Sequence, residues 1–267
     1  MPLEVPQMVL DYVEGKNFVT VEDLLERFGF KRVTAYNYLS RLKKKGIVSR
    51  VGYGRYRVGT YKPTPSSMVT RVKRIVDIVR EKMPFIEFSI WSIGNLAEFS
   101  HYAIGKDVAF IEADKRTSRK IRDVLLEKNI HSLVEPSRGE LGDIFSLLEE
   151  PLIIFQRREA YATIKKDRVR IPLLERMMVD LYFYITRLGF PYPPDEYGRM
   201  FYNILKARTL NFDMLRKYAS RRSVREEMTS LLSRMREKYP ELSIPELGER
   251  ALEVETILEE IVRGASL

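Results

Sequence analysis

The residues best placed to do chemistry in this chain are cations. From Lys31 to Lys62 stand ten basic residues, Lys31, Arg32, Arg41, Lys43, Lys44, Lys45, Arg50, Arg55, Arg57 and Lys62, with no Asp or Glu among them. The whole 267-residue protein carries a formal charge of +9, so this one segment accounts for all of it and the remainder is close to neutral. Charge gathered in this way suits a surface that meets phosphates, whereas the same charge spread evenly would serve solubility alone. Thr34, Tyr36, Asn37 and Ser40 are interspersed with the cations and can reach base edges as well as phosphates. Other reactive chemistry is thin. There is no cysteine, which removes thiolate catalysis, cysteine-zinc sites and disulfides together and fits a reducing compartment. HExxH, GxGxxG and GxxxxGK[ST] are absent, and Gly105-Lys106 lacks both the upstream glycine and the following hydroxyl of a phosphate loop. His101 and His131 fall in different elements and take no role. No metal and no cofactor is expected.

The elements that must position these cations can be read from spacing. Gln7 to Glu14 is a short amphipathic helix, and Thr20 opens a second as a hydroxyl N-cap with Asp23 at N3. The second helix buries Val21, Leu24, Leu25 and Phe28, and Gly29 suits its C-terminal turn. Lys31 to Lys45 forms a third helix with Ala35, Tyr38, Leu39 and Leu42 inward and Arg32, Thr34, Tyr36, Asn37, Ser40, Arg41 and Lys44 outward. Gly46 ends it. Ile47 to Val58 reads as a hairpin around Gly52-Tyr53-Gly54, with Ile47, Ser49, Val51, Tyr56 and Val58 alternating with Arg50, Arg55 and Arg57. The expected DNA contacts are therefore the seven outward helix residues together with Arg50, Tyr53, Arg55 and Arg57.

Three helices followed by a basic, glycine-turned hairpin resemble the winged helix-turn-helix family, and Thr34 to Val58 (TAYNYLSRLKKKGIVSRVGYGRYRV) carries the likeness. Lys31 departs from it, standing at an N-cap where that family often has Ser. The resemblance implies a third helix lying in the major groove of duplex DNA and a wing against the backbone or minor groove.

Beyond this unit, residues 1–62, a linker is expected at 63–67 within Gly59 to Ser67 (GTYKPTPSS). An α/β domain over 68–171 follows. Its helix from Met68 to Lys82 precedes strand-like runs at Phe85 to Ile90, Val108 to Ala113, His131 to Val134 and Leu152 to Phe155, separated by helical patterns at Leu96 to Ala103 and Lys115 to Lys128. Residues 172–267 read as a helical part packed on that domain, with breaks at Gly189 to Pro194 and Pro240 to Pro245. Pro172 fits a first helical position, and Leu174, Met178, Leu181 and Ile185 form a buried stripe. Glu175, Arg176 and Asp180 lie off that stripe and read as structural ion pairs. The basic and aromatic stretches Gln156 to Arg170 and Asn203 to Arg222 read as solvated surface, with DNA phosphates or a protein partner as secondary uses. Ser223 to Arg263, with ten Glu against six Lys or Arg, reads as a solvated helical face. The fold class expected is α+β.

Trp91-Ser92-Ile93-Gly94 followed by Glu112-Ala113-Asp114 resembles a degenerate version of the minimal nucleotidyltransferase fold, in which a Gly-Ser turn and two carboxylates one residue apart hold phosphate and Mg²⁺. Here Trp91 replaces the glycine, and the bland reading, that Glu112 and Asp114 end an ordinary strand, is preferred. Taken with Leu96, Phe99, Val108 to Lys115 and Arg170 to Asp180 (RIPLLERMMVD), the order of segments resembles AbiEi-type antitoxins of type IV toxin-antitoxin systems, over about Val19 to Arg222. The resemblance implies a repressor of its own promoter, with inverted repeats and a homodimer expected, that also counters a nucleotidyltransferase-like toxin. A ligand-sensing winged-helix regulator and a nucleotidyltransferase-like enzyme are the alternatives. Met1 to Asp11 shows no basic leader before an apolar run, so a cytoplasmic protein without membrane contact is expected. Eight Asn plus Gln against 31% charged residues is a thermophile-like composition.

Overall fold

The computed structural model describes residues 5–16, 18–45, 47–52, 54–58, 69–100, 106–166, 168–207, 210–242, 244 and 256–265. The expected linker at 63–67, Gly46, Tyr53 and His101 lie outside them. The N-terminal unit runs α1 (Gln7–Glu14), β1 (Phe18–Thr20), α2 (Val21–Phe28), α3 (Arg32–Lys44), β2 (Val48–Gly52) and β3 (Arg55–Val58). Thr20 and Asp23 make the reciprocal capping box: the Asp23 amide donates to the Thr20 hydroxyl at 2.9 Å and the Thr20 amide to the Asp23 carboxylate at 2.7 Å. Gly29 closes α2 in the left-handed region at φ 66°, where a Cβ would be strained. The strands form an antiparallel sheet in the order β1-β3-β2. β1 is an addition to the sequence reading: three residues are too few for an alternating pattern to show, and pairing with β3 specifies them. Val9, Val13, Val19, Leu24, Leu39, Leu42 and Tyr56 close the small core over which α3 lies.

The hairpin forms with a different phase from the one expected. Arg50 lies directly opposite Tyr56 and Val48 opposite Val58, and directly opposed residues share a face. Val48 and Tyr56 are core residues, so Val48 and Arg50 share the face of Tyr56 and Val58, where Ile47, Ser49 and Val51 were expected. A register shift between Arg50 and Gly52 lets the turn hide this from the sequence.

The larger unit runs α4 (Thr70–Lys82), β4 (Phe88–Ser92), a 3-10 helix (Ile93–Phe99), β5 (Ala109–Glu112), α5 (Lys115–Leu126), β6 (Leu133–Val134), α6 (Arg138–Leu147), β7 (Leu152–Phe155), β8 (Thr163–Lys166) and β9 (Val169–Pro172). Then come α7 (Leu174–Leu188), α8 (Pro194–Ala207), α9 (Phe212–Arg221), α10 (Arg225–Lys238), a 3-10 turn (Pro240–Leu242) and α11 (Thr256–Gly264). The strands form one mixed sheet in the order β6-β7-β5-β4-β9-β8. Its β4–β5 and β8–β9 pairs are antiparallel and the others parallel. One face is covered by α4 and α5 through Ile75, Val79, Ile90, Ile111 and Ile121, the other by α7 and the helices behind it through Trp91, Phe110, Ile153, Met178 and Tyr184. The protein is thus a mixed α+β molecule.

Pro172 ends β9 opposite Thr163, and α7 begins two residues later behind Leu173, so the proline is not at a first helical position. β8 and β9 arise within the stretch read as solvated surface, because Lys165, Lys166 and Arg170 mask the strand signal that Ile164, Val169 and Ile171 carry. The two units touch. Arg50 Nε lies 3.2 Å from Asp213 Oδ2 at the start of α9, and Phe18 packs against the larger core. No helix among the described residues is long and apolar enough to cross a membrane.

Candidate functional site

α3 is held to the small core by the four residues that the periodicity selects, Ala35, Tyr38, Leu39 and Leu42, each buried. The opposite face is left to solvent. Val33, Asn37, Ser40 and Lys44 form one exposed stripe at helical spacing, flanked by exposed Arg32, Lys43 and Lys45. The cations near the helix end also suit its C-terminal partial charge. Arg32 is ion-paired with Glu22 of α2. Thr34, Tyr36 and Arg41 are half-buried, and the Tyr36 hydroxyl lies 3.6 Å from where a Cβ on Gly54 would stand, so this ring packs under the hairpin turn. Val33, 72% exposed, belongs neither to the expected inward set nor to the expected outward set. Its methyls stand in the same stripe as Asn37.

The hairpin cations are less free than expected. Arg50 is turned to Asp213 and away from the α3 stripe. Arg55 lies with its guanidinium 4.9 Å over the Phe18 ring, and burial pulls its pKa below the usual arginine range. Its Nε is buried without a hydrogen-bond partner. Arg57 pairs through its backbone with Phe18 and Ser49. Tyr53 lies outside the described residues. The structure therefore brings Arg32, Asn37, Ser40 and Lys44 to one open face and sets Arg50 and Arg55 apart from it.

In the larger unit, the residues suggestive of nucleotidyl transfer have other commitments. The Asp107 carboxylate accepts from the Gly94 amide at 2.7 Å and from the Ser92 hydroxyl at 3.2 Å. An internal carboxylate thus stands where a phosphate would be cradled by such a turn. Asp114 caps α5, accepting from the amides of Arg116 and Thr117 at 3.0 Å and from the Thr117 hydroxyl at 2.5 Å. Those bonds, the Thr117 hydroxyl first, hold its carboxyl below the usual aspartate range. Glu112, two residues earlier, is buried and meets Arg176 Nη2 at 2.5 Å. The two carboxylates do not converge: Glu112 ends β5, as expected, whereas Asp114 lies beyond the strand as the N-cap of α5. Among the described residues no group of three His, Asp or Glu side chains could hold a metal ion.

Around Glu112 lies a buried cluster of charges. Arg176 bridges Glu112 and Asp180, with its Nε 3.2 Å from Asp180, and Arg222 reaches the other Asp180 oxygen at 3.0 Å. Tyr218 donates to that oxygen at 2.7 Å, and Arg157 stands 4.0 Å from both carboxylates. Two backbone carbonyls, of Glu159 and Tyr161, accept from Arg176 Nη1. Burial opposes the charge on Arg176, but Glu112 and Asp180 outweigh it and hold the guanidinium well above its usual pKa. Burial likewise keeps the Tyr184 and Tyr218 phenols neutral. The expectation that Arg176 and Asp180 form a structural pair is met, but both are fully buried, as is Glu175, because α7 is enclosed on every side. Arg157 and Arg222, expected on solvated surface, point inward to the same centre. This centre ties α7, α9 and the sheet together, while burial raises the Glu112 carboxyl above the usual glutamate range and leaves its Oε1 and the Tyr184 hydroxyl without a hydrogen-bond partner.

The model of a family described as being of unknown function, DUF6577, matches residues 34–238. The match therefore takes in most of α3, the hairpin, the sheet and the helices as far as α10. A search of the curated proteins finds no match.

Proposed function

The chain belongs to this family, DUF6577, and from that footing we propose that it is a transcriptional repressor that binds duplex DNA through α3 as a winged helix-turn-helix. One observation carries the reading. α3 has its apolar side locked into a core and the opposite side, Val33, Asn37, Ser40 and Lys44 with Arg32 beside them, open to solvent beside a hairpin. Such a helix can enter a major groove, with Asn37 reading an adenine edge, Val33 meeting a thymine methyl and Lys44 holding a phosphate. Proteins of this kind bind inverted repeats as homodimers in the cytoplasm, and the same arrangement is expected here. By its resemblance to AbiEi-type antitoxins, the larger unit counters a nucleotidyltransferase-like toxin by binding it, without transferring nucleotides itself. The commitments of Asp107, Glu112 and Asp114 to internal partners support that division.

Titrations of the full chain against its own upstream DNA at several salt concentrations test the proposal. Asn37→Ala should reduce discrimination between sites by about 1–3 kcal/mol. Lys44→Ala should weaken all duplexes alike and lower the salt slope by about 1. Equal affinity of both variants and the parent protein for every duplex would remove the DNA reading. Co-expression with a nucleotidyltransferase encoded beside it tests the antitoxin role, and growth arrest unrelieved by the full chain would end it.

A further inference from the structure

At the β8–β9 edge of the large sheet, cations gather beyond what their own pairing requires. Lys165 and Arg170 stand directly opposite one another across the two strands, an arrangement in which like charges repel. Arg158 joins them, and all three converge on one carboxylate: Lys165 bonds Glu87, Arg170 reaches it at 3.3 Å and Arg158 at 3.6 Å. Exposed Lys166 and Arg168 extend the same edge. Three cations thus share one acidic partner, with two more beside them. Asp167 lies outside the described residues, and counting it still leaves the patch strongly positive. The neighbouring Asp114 is held by the α5 cap. Beside this charge stands Phe85, 77% exposed, with the Arg168 guanidinium 5.4 Å from its ring centre and donating at 3.2 Å to the Phe85 carbonyl.

Lysines on an outer strand are ordinarily explained as protection against edge-to-edge pairing. That explanation does not extend to a bare phenyl ring braced by a guanidinium, which adds apolar area to the surface. Flat aromatic and guanidinium planes among cations are the parts from which unpaired bases are held, stacking on the ring while phosphates meet the charges. Bases within a duplex are already stacked and cannot reach a protruding ring, and an acidic peptide offers nothing flat to place on it.

We propose that the β8–β9 edge binds single-stranded nucleic acid, with its phosphates on Arg158, Lys165 and Arg170 and a base stacked at Phe85 and Arg168. This site is separate from α3 and does not depend on the duplex reading. Fluorescence anisotropy of the full chain with labelled 20-mers of oligo-dT and oligo-U, beside a duplex of equal length, tests it. Arg158→Ser combined with Arg168→Ser, and separately Phe85→Ala, change exposed side chains, and thermal melting verifies that each variant folds. Each should weaken single-strand binding by about tenfold, and the double variant should lower the salt slope by about 1. Duplex binding should stay unchanged in both variants. Single-strand affinity that is absent, that survives either variant intact, that falls equally in Lys44→Ala, or that poly-glutamate displaces as readily as unlabelled oligonucleotide would overturn the proposal.

Discussion

Arg176 shows how much a single side chain can carry. It donates four hydrogen bonds, to two carboxylates and two carbonyl oxygens, and its guanidinium lies 5.2 Å from the Tyr218 ring centre. Pairs of this depth add little stability over well-packed apolar residues, but removing one partner strands the others without water. Arg176→Met should therefore destabilise the protein by about 3–5 kcal/mol, since Glu112 would lose its nearest cation in the interior and Asp180 would keep only Arg222 and Tyr218 close by. Chemical denaturation measures this. Arg176→Lys should recover only part of the loss, because one ammonium cannot span both carboxylates and the carbonyls. A loss below about 1 kcal/mol would mean that Arg157 and Arg222 move in to replace it.

At the scale of elements, α8 and α11 meet through glycine. A Cβ on Gly198, mid-way along α8, would stand 1.8 Å from the Ile261 carbonyl oxygen, and one on Gly264 would stand 2.0 Å from that of Asp195. Glycine inside a helix is unfavourable by about 1 kcal/mol relative to alanine, and here the contact with α11 explains it. The contact lets α11 place Leu258 and Ile261 in the core, although α11 itself lies beyond the residues that the family model matches. Gly198→Ala should drive α11 off and lower stability by about 3 kcal/mol, in spite of alanine's better helix propensity. Hydrogen exchange should quicken in α11 while β5 and β7 keep their protection. Unchanged exchange in α11 would show that the backbones separate at little cost.

For the whole molecule, the question is how the N-terminal unit sits on the larger one. Arg50 and Asp213 meet at 3.2 Å, with their side chains 38% and 25% exposed, and a pair so open to solvent contributes little by itself. Phe18 adds apolar contact with the larger core. Asp213→Arg turns the attraction into repulsion at the same place. Small-angle scattering should then report a larger radius of gyration, with the melting of each unit unchanged. An unaltered scattering profile would assign the docking to Phe18 alone.

The parts legible in the sequence were those that local physics settles. The Thr20–Asp23 box, the left-handed Gly29 and the four inward residues of α3 follow from capping, φ and a 3.6-residue period, each specified within a few neighbouring positions. Of the outward set of α3, Arg32, Asn37, Ser40 and Lys44 followed as its complement, whereas Thr34, Tyr36 and Arg41 are half-buried and Val33 was missing. Tertiary structure decided what depends on partners distant in the chain. Arg50 and Asp213 are 163 positions apart in sequence and no local pattern links them. Arg176, Asp180, Arg157 and Arg222 could be read as surface or as interior until the sheet put Glu112 beneath them, because a charge is buried only when an opposite charge arrives from elsewhere. β9 became a strand through pairing with β4 and β8, against the composition around it. The phase of β2 was likewise set by Tyr56 across the hairpin, since one residue of slip exchanges the faces of a strand without altering its alternation.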